Sequence, residues 1–157
     1  MAISHALQAL LLLLLSLFFL PPALGAFVNF TNCAVMKSER RVNVTSVRIN
    51  PYPLGLGDAG ATFTITADTT FNVTARNIVL DTHSVPLMLN RVRKNYSLCN
   101  VTACPVTPGP IVFVFPIFIP RSSYIYFEYW AAIRMHETGL NQIMCVSFKY
   151  PILSWTF

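Results

Sequence analysis

The sequence predicts an all-β protein built as an antiparallel β-sandwich. Three observations lead to this class: short runs of alternating apolar and polar residues, turns rich in proline and glycine between them, and no stretch with a strong helical period. In the clearest run, 61–67, Ala61, Phe63, Ile65 and Ala67 fall on one face and threonines on the other. About seven such short strands favour a sandwich, and a closed barrel is the nearest alternative.

The predicted strands follow one another at short intervals. They cover residues 42–49, 61–67, 71–80, 85–92, 111–119, 124–134 and 143–150. Threonine suits the solvent face of a strand because its branched Cβ favours extended backbone while its hydroxyl stays hydrated. The segment 50–58, rich in proline and glycine, is predicted to be a connection, since proline removes a ladder donor and glycine weakens a strand.

The run 111–119 breaks the alternation because both of its faces are apolar. Pro116 argues against a regular central strand, where it would remove a donor from the ladder. Three interpretations are open. The run is a core strand capped on its outer face by a loop, an edge that pairs with another protein, or the wall of a cavity that opens to an apolar ligand.

The N-terminal segment has the pattern of a secretory signal peptide. An apolar core over 9–20 is followed by two prolines and then by Ala23, Leu24 and Gly25, a small-x-small cleavage site. The core is shorter than the roughly 20 apolar residues that a membrane anchor needs. We therefore expect a signal peptide over residues 1–25 and one domain over 26–157, secreted or held in the lumen of a vacuole or lysosome-like compartment.

Cysteines and glycosylation sequons agree with an oxidising compartment. Four cysteines allow three disulfide pairings, and their spacing lacks the Cys-x2-Cys typical of zinc sites, so no metal is predicted. They are Cys33, Cys99, Cys104 and Cys145. Five Asn-x-Ser/Thr sequons predict surface glycans. They lie at Asn29, Asn43, Asn72, Asn95 and Asn100.

Charge and motif content exclude several function classes. The net charge of +5 forms no nucleic-acid stripe, and its densest group is Arg91, Arg93 and Lys94. These residues are either a solvated face or a contact for a lipid head group or an anionic membrane. His83 and His136 lie outside any hydrolase, zinc-protease or phosphate-loop motif, so no catalytic residue and no cofactor is predicted.

Aromatic residues are concentrated in the second half of the chain. Eight of them fall between Phe113 and Trp130, at both strand parities. Two interpretations are open: an ordinary aromatic core, or two splayed sheets whose rings line a slot for an apolar ligand.

Several segments, in order, resemble one known family. They are Cys33, the heptapeptide VRINPYP at 47–53, ATFTI at 61–65, LCNVTACPV at 98–106 and NQIMCVSF at 141–148. Together they resemble the ML lipid-recognition domain, particularly its plant members described as phosphatidylglycerol/phosphatidylinositol transfer proteins, and more distantly the Niemann-Pick type C cholesterol carrier. The combination of the Cys-x4-Cys-Pro loop with the Cys-Val-Ser-Phe ending is the most specific part.

The resemblance implies an immunoglobulin-like sandwich with an apolar cavity between its sheets. It implies disulfides Cys33–Cys145 and Cys99–Cys104, and a monomeric carrier of one phospholipid or sterol. The alternative is a secreted recognition or adhesion module that docks a protein partner through its apolar run. From alternation and the family's general pocket position, the residues expected to line the lipid are Phe63, Ile65, Phe113, Phe115, Tyr126, Trp130 and Phe148.

Overall fold

The computed structural model describes most of the chain after the predicted signal segment. Described residues are 25–33, 41–55, 60–74, 77–85, 88, 91–117, 128–137 and 141–153. The predicted signal peptide, apart from Gly25, lies outside them. Within these ranges no helix is long and apolar enough to cross a membrane.

The described part of the chain consists almost entirely of strands. They are β1 (Ala26–Phe27), β2 (Phe30–Asn32), β3 (Val42–Asn50), β4 (Leu54–Gly55), β5 (Ala61–Thr69), β6 (Asn77–Ser84), β7 (Val92–Tyr96), β8 (Gly109–Ile117), β9 (Glu128–His136) and β10 (Gln142–Leu153). A one-turn helix, α1 (Leu98–Val101), lies between β7 and β8.

The strands form two sheets. The four-stranded sheet has the order β1-β3-β5-β8, and the six-stranded sheet has the order β2-β10-β9-β6-β7 with β4 pairing in parallel to β10. All other strand pairs are antiparallel. The prediction of an antiparallel β-sandwich is confirmed.

The alternation seen in the sequence sets the face of each strand. In β5, Phe63 and Ile65 are fully buried, whereas the threonines between them are half-buried on the outer face. One apolar core made from both sheets runs through the sandwich. Because side chains alternate across a strand, each sheet contributes every second residue to this core.

The predicted strand over 85–92 is wrong. The chain turns after β6, where the Met88 N–H donates to the Ser84 carbonyl at 3.0 Å and Met88 has a positive φ of 51°. The strand that follows is β7, which pairs with β6 in the register Ile78 to Tyr96. Its polar sequence, VRKNY, lacks the apolar alternation that identified the other strands, because an edge strand buries less of its surface.

The apolar run over 111–119 falls on β8, which is the last strand of the four-stranded sheet among the described residues. Pro116 is therefore at an edge, as its missing N–H requires. Phe113 and Phe115 face the core with no exposed surface, whereas Val112 and Val114 are 47% and 41% exposed. The inner half of the run packs as an ordinary core strand, and the outer half is open to solvent in the described part of the structure.

Two disulfides join the four cysteines in the pairing that the resemblance implies. Cys33 bonds to Cys145 across a sequence separation of 112, and Cys99 bonds to Cys104 across a separation of five. Cys33 directly follows β2, so the long-range bridge reinforces the pairing of β2 with β10. All five sequon asparagines lie exposed at the surface.

Candidate functional site

The core of the sandwich is an aromatic cluster built from both sheets. The Phe63 ring of β5 meets the rings of Phe148 and Tyr150 on β10 edge-on, with centroid distances of 4.9 Å and 5.1 Å. The Phe115 ring of β8 meets the Tyr96 ring of β7 at 5.5 Å. Edge-to-face pairs of this kind add to the burial energy of the rings. The two inner faces therefore contact each other through rings.

Five of the seven predicted lipid-lining residues share this core. Phe63, Ile65, Phe113, Phe115 and Phe148 are each buried and belong to one contiguous cluster. Strand alternation in the sequence accounts directly for Phe63 and Ile65, whereas Phe113 and Phe115 lie in a run that is apolar on both faces, where the pairing of β8 with β5 decides which face is buried.

The other two predicted lining residues are not in the cluster. Tyr126 lies outside the described residues. Trp130 alternates with the core residues Tyr129 and Ala131 of β9, so its side chain lies on the outer face of the six-stranded sheet. Its ring is 4.8 Å from that of His83. Trp130 therefore contacts its neighbours on the solvent side rather than the space between the sheets.

The described surface has a largely apolar cavity of about 900 Å³ beside the Cys99–Cys104 loop. Val73, Leu98 and Val106 line it, and the same residues belong to the hydrophobic core. A second cavity of about 550 Å³ lies at the β2 side, with Phe27, Tyr52 and Trp130 in its wall. Core residues line both cavities, since Phe148 is part of the wall of the second.

The three predicted basic residues do not share one face. Arg93 is paired in register with Asp81 on the outer face of the six-stranded sheet. Lys94 is the next residue and pairs with the core residue Leu80, so it lies on the inner face, half-buried at the edge of the sandwich. Alternation along β7 thus separates Lys94 from Arg93.

Asp81 is a buried carboxylate on the outer face. Arg91 binds it through two hydrogen bonds, from Nε to Oδ1 at 2.9 Å and from Nη2 to Oδ2 at 2.5 Å, and Arg134 approaches to 3.7 Å. These hydrogen bonds from Arg91, together with the positive charges of Arg91, Arg93 and Arg134, lower the pKa of Asp81 despite its burial. The carboxylate thus holds several arginines at one place on the sheet.

We expect Asp81→Asn to destabilise the protein by about 2 kcal/mol at pH 7, because the arginines lose their buried partner. The folded-state pKa of Asp81 is lowered. Its contribution is therefore complete above the unfolded pKa, near pH 4, and is lost as pH falls through the lower folded pKa. Urea unfolding of both proteins at pH 7 and at lower pH measures this difference.

The matched control is Glu128→Gln, which removes the partner of Lys149 from a more exposed ion pair with an N–O distance of 3.0 Å. Such a pair contributes about 0.5 kcal/mol or less. Two results would contradict the role assigned to the carboxylate. One is that Asp81→Asn lowers the free energy of unfolding equally at all pH values, and the other is that it lowers this free energy no more than Glu128→Gln does.

Sequence reasoning missed the tyrosines and Asp81. Tyr96, Tyr129 and Tyr150 each contact the core. The signal available in the sequence was strand alternation, which puts each tyrosine on the same face as other core residues. Asp81 lies in the middle of β6, whereas the strand predicted over 71–80 ends one residue before it. No pattern in the chain marks its partner Arg91 in advance, since the pair is formed by the β6–β7 register. No cluster of three or more metal-ligating side chains occurs in the parts of the chain that are described.

Comparison with known proteins identifies relatives of this chain. The family model for the ML domain matches residues 27–152. The MD-2-related lipid-recognition protein ROSY1 of Arabidopsis thaliana is 40% identical over 153 residues, which is 94% of this chain and 90% of that protein. A crystal structure of a Niemann-Pick type C2 protein from Japanese carpenter ant aligns with a TM-score of 0.44 at 14% identity, covering 82% of this chain and 92% of the other.

Proposed function

Because this chain belongs to the ML domain family of lipid-recognition proteins, we propose that it is a secreted carrier that holds one phospholipid or sterol between its two sheets. The observation that carries the proposal is the aromatic cluster through which the sheets contact each other. It joins Phe63 and Phe115 of one sheet to Tyr96, Phe148 and Tyr150 of the other. A space lined by these side chains shields an apolar molecule from water.

The driving force is the removal of the lipid's apolar surface from water, worth roughly 25 cal/mol per Å². The rings of Phe63, Phe113 and Phe115 have no exposed surface and pack in the core between the sheets. A bound lipid therefore has to separate the sheets or displace some of these rings. We infer that the sheets open when the ligand enters.

The chain crosses between the two sheets on both sides of the sandwich. Residues 28–29 and 51–53 join β1 to β2 and β3 to β4 on one side, and residues 97–108, which include α1, join β7 to β8 on the other. Along β7 and β8 themselves, the Tyr96 hydroxyl donates a hydrogen bond of 2.7 Å to the Pro116 carbonyl. The largely apolar cavity lies beside the loop that joins these two strands, so we propose that the lipid enters between β7 and β8 and breaks this hydrogen bond.

The basic residues take separate roles in this proposal. Lys94 lies on the inner face of β7, beside the proposed entrance, and contacts the ligand's head group. Arg91 and Arg93, on the outer face, attract anionic membrane surfaces. Arg91 is bound to Asp81, so Arg93 contributes more of this attraction.

The deciding measurement is organic extraction and mass spectrometry of the protein purified from a eukaryotic secretory host, together with uptake of fluorescent sterol and phospholipid. We expect about one lipid per chain and an N-terminus that begins at Ala26. Lys94→Ala should weaken uptake of anionic phospholipid more than uptake of sterol, and Arg48→Ala, on the other sheet, should change neither. An empty protein that takes up no lipid would overturn the proposal.

One observation favours a second function. Val112 and Val114 are exposed on β8, the edge strand of the four-stranded sheet in the described structure. An exposed apolar edge is suited to pairing with another protein. A recognition or adhesion module would bind no lipid, and its binding to cell-surface or extracellular protein would be lost in Val112→Lys. The lipid measurement therefore separates the two functions.

A further inference from the structure

A row of hydroxyl side chains crosses the inner face of the six-stranded sheet. Ser84 of β6, Tyr129 of β9 and Tyr150 of β10 are paired in register, and all three are buried. The row lies at the opposite end of the sheet from α1. The start of β6 pairs with Tyr96, which comes just before α1, whereas Ser84 is the last residue of β6. The neighbouring rows toward α1 contribute apolar side chains such as Phe148 and Ile133 to the core.

The Tyr129 hydroxyl has no hydrogen-bond partner among the described residues, although the side chain is 4% exposed. The other such atom, Nε2 of Gln142, belongs to a half-buried residue at the start of β10. By contrast, the hydroxyl of Tyr150 has a hydrogen bond with Thr82. Buried polar groups in native proteins are nearly always paired, and an unpaired one lowers stability. A buried hydroxyl without a partner in the core of a binding protein is therefore a candidate for a hydrogen bond that the ligand supplies.

We propose that the Tyr129 hydroxyl is the hydrogen-bond donor that selects the ligand, and that it binds an uncharged oxygen of the lipid, a sterol hydroxyl or an ester carbonyl. This inference rests on the proposed lipid carriage. The ring of Tyr129 lies 5.9 Å from that of Tyr150, which contacts Phe63 on the facing sheet. A lipid inserted between the sheets at this row lies beside the hydroxyl.

The surroundings of Tyr129 favour an uncharged oxygen over a phosphate or carboxylate. Its row contains Ser84 and Tyr150 and no cation. Of the charged side chains that the structure describes, Asp81 is the one that is buried, and it faces the opposite side of the sheet. A phosphate in this row would be a buried charge without a counter-charge, which is far more costly than a buried hydroxyl or carbonyl. The charged part of a phospholipid therefore stays at the rim while an ester oxygen reaches Tyr129.

The test compares Tyr129→Phe with Tyr150→Phe in the full-length protein, first without lipid. Removing an unpaired buried hydroxyl should raise the melting temperature of the delipidated protein by about 2 to 5 °C, whereas removing the paired hydroxyl of Tyr150 should lower it. If Tyr129→Phe instead lowers the melting temperature, the hydroxyl already has a hydrogen-bond partner, and the proposal is overturned.

The second measurement is ligand affinity. Tyr129→Phe should weaken binding of a sterol by about tenfold and leave binding of the same sterol without its hydroxyl unchanged. A diacyl phospholipid and its dialkyl ether analogue, which lacks the ester carbonyls, make the corresponding pair for an ester carbonyl. The pair in which Tyr129→Phe weakens binding of only the oxygen-bearing member identifies the oxygen that the hydroxyl binds. Equal affinities of wild type and Tyr129→Phe for all four lipids overturn this proposal alone. A wild-type chain that binds none of them overturns the proposed carrier function as well.

Discussion

Replacing Cys33 and Cys145 together by alanine should destabilise the domain by about 5 kcal/mol. The bridge closes a loop between cysteines 112 positions apart, so its loss restores a large conformational entropy to the unfolded chain. It also ties the short strand β2 to β10, which pairs with it through only three residues. Thermal unfolding should show a melting temperature lowered by roughly 15 °C or more, with a large increase in unfolded protein at 37 °C.

The matched control is the double alanine variant of Cys99 and Cys104. This bridge closes a loop with a sequence separation of five, for which the same entropy relation predicts about 2 kcal/mol. It lies beside the apolar cavity at α1, so its loss should act mainly on the local shape of that loop. Equal destabilisation by the two double variants would contradict the loop-length explanation.

Phe63→Ala should cost about 4 kcal/mol, the second largest effect that we expect. The ring has no exposed surface and contacts Phe148 and Tyr150 on the facing sheet, so its removal leaves a cavity at the contact between the sheets. Urea unfolding of the lipid-free protein measures this cost. A saturating lipid should recover part of it, because a ligand between the sheets fills space that the ring occupied and binds only the folded state.

The comparison variant is Val114→Ala on the neighbouring strand β8, where the side chain lies on the outer face and is 41% exposed. Its expected cost is about 0.5 kcal/mol or less. If Phe63→Ala were no more destabilising than Val114→Ala, the aromatic cluster would not be the structural centre of the domain.

Strand alternation made much of the fold predictable. The pattern in β5 placed Phe63 and Ile65 in the core, and the same parity rule placed Phe148 there, whereas the run that holds Phe113 and Phe115 is apolar on both faces and its buried face is decided by the pairing of β8 with β5. The rule works because a side-chain period of two relates local sequence directly to a buried and an exposed face. It failed for β7, whose polar residues are held as a strand by the neighbouring β6 rather than by burial of their own apolar surface.

The same period explains the misplaced site residues. Trp130 looked like a lining residue because the sequence 124–130 offers rings at both parities, and sequence alone does not say which parity faces inward. The register of β9 against β6 and β10 decides it, placing Tyr129 inward and Trp130 outward beside His83. The inward tyrosine, which carries the proposed ligand contact, was for this reason absent from the predicted set.

Local alternation and motifs along the chain were enough to predict the all-β class, the family and the cysteine set. Which groups meet across strands follows instead from the folded arrangement: Asp81 with Arg91, Tyr96 with Pro116, and the row that contains Tyr129. Such contacts depend on strand register and sheet order. A shift of one residue in register turns every side chain of a strand to the opposite face, and no short segment of sequence specifies that choice.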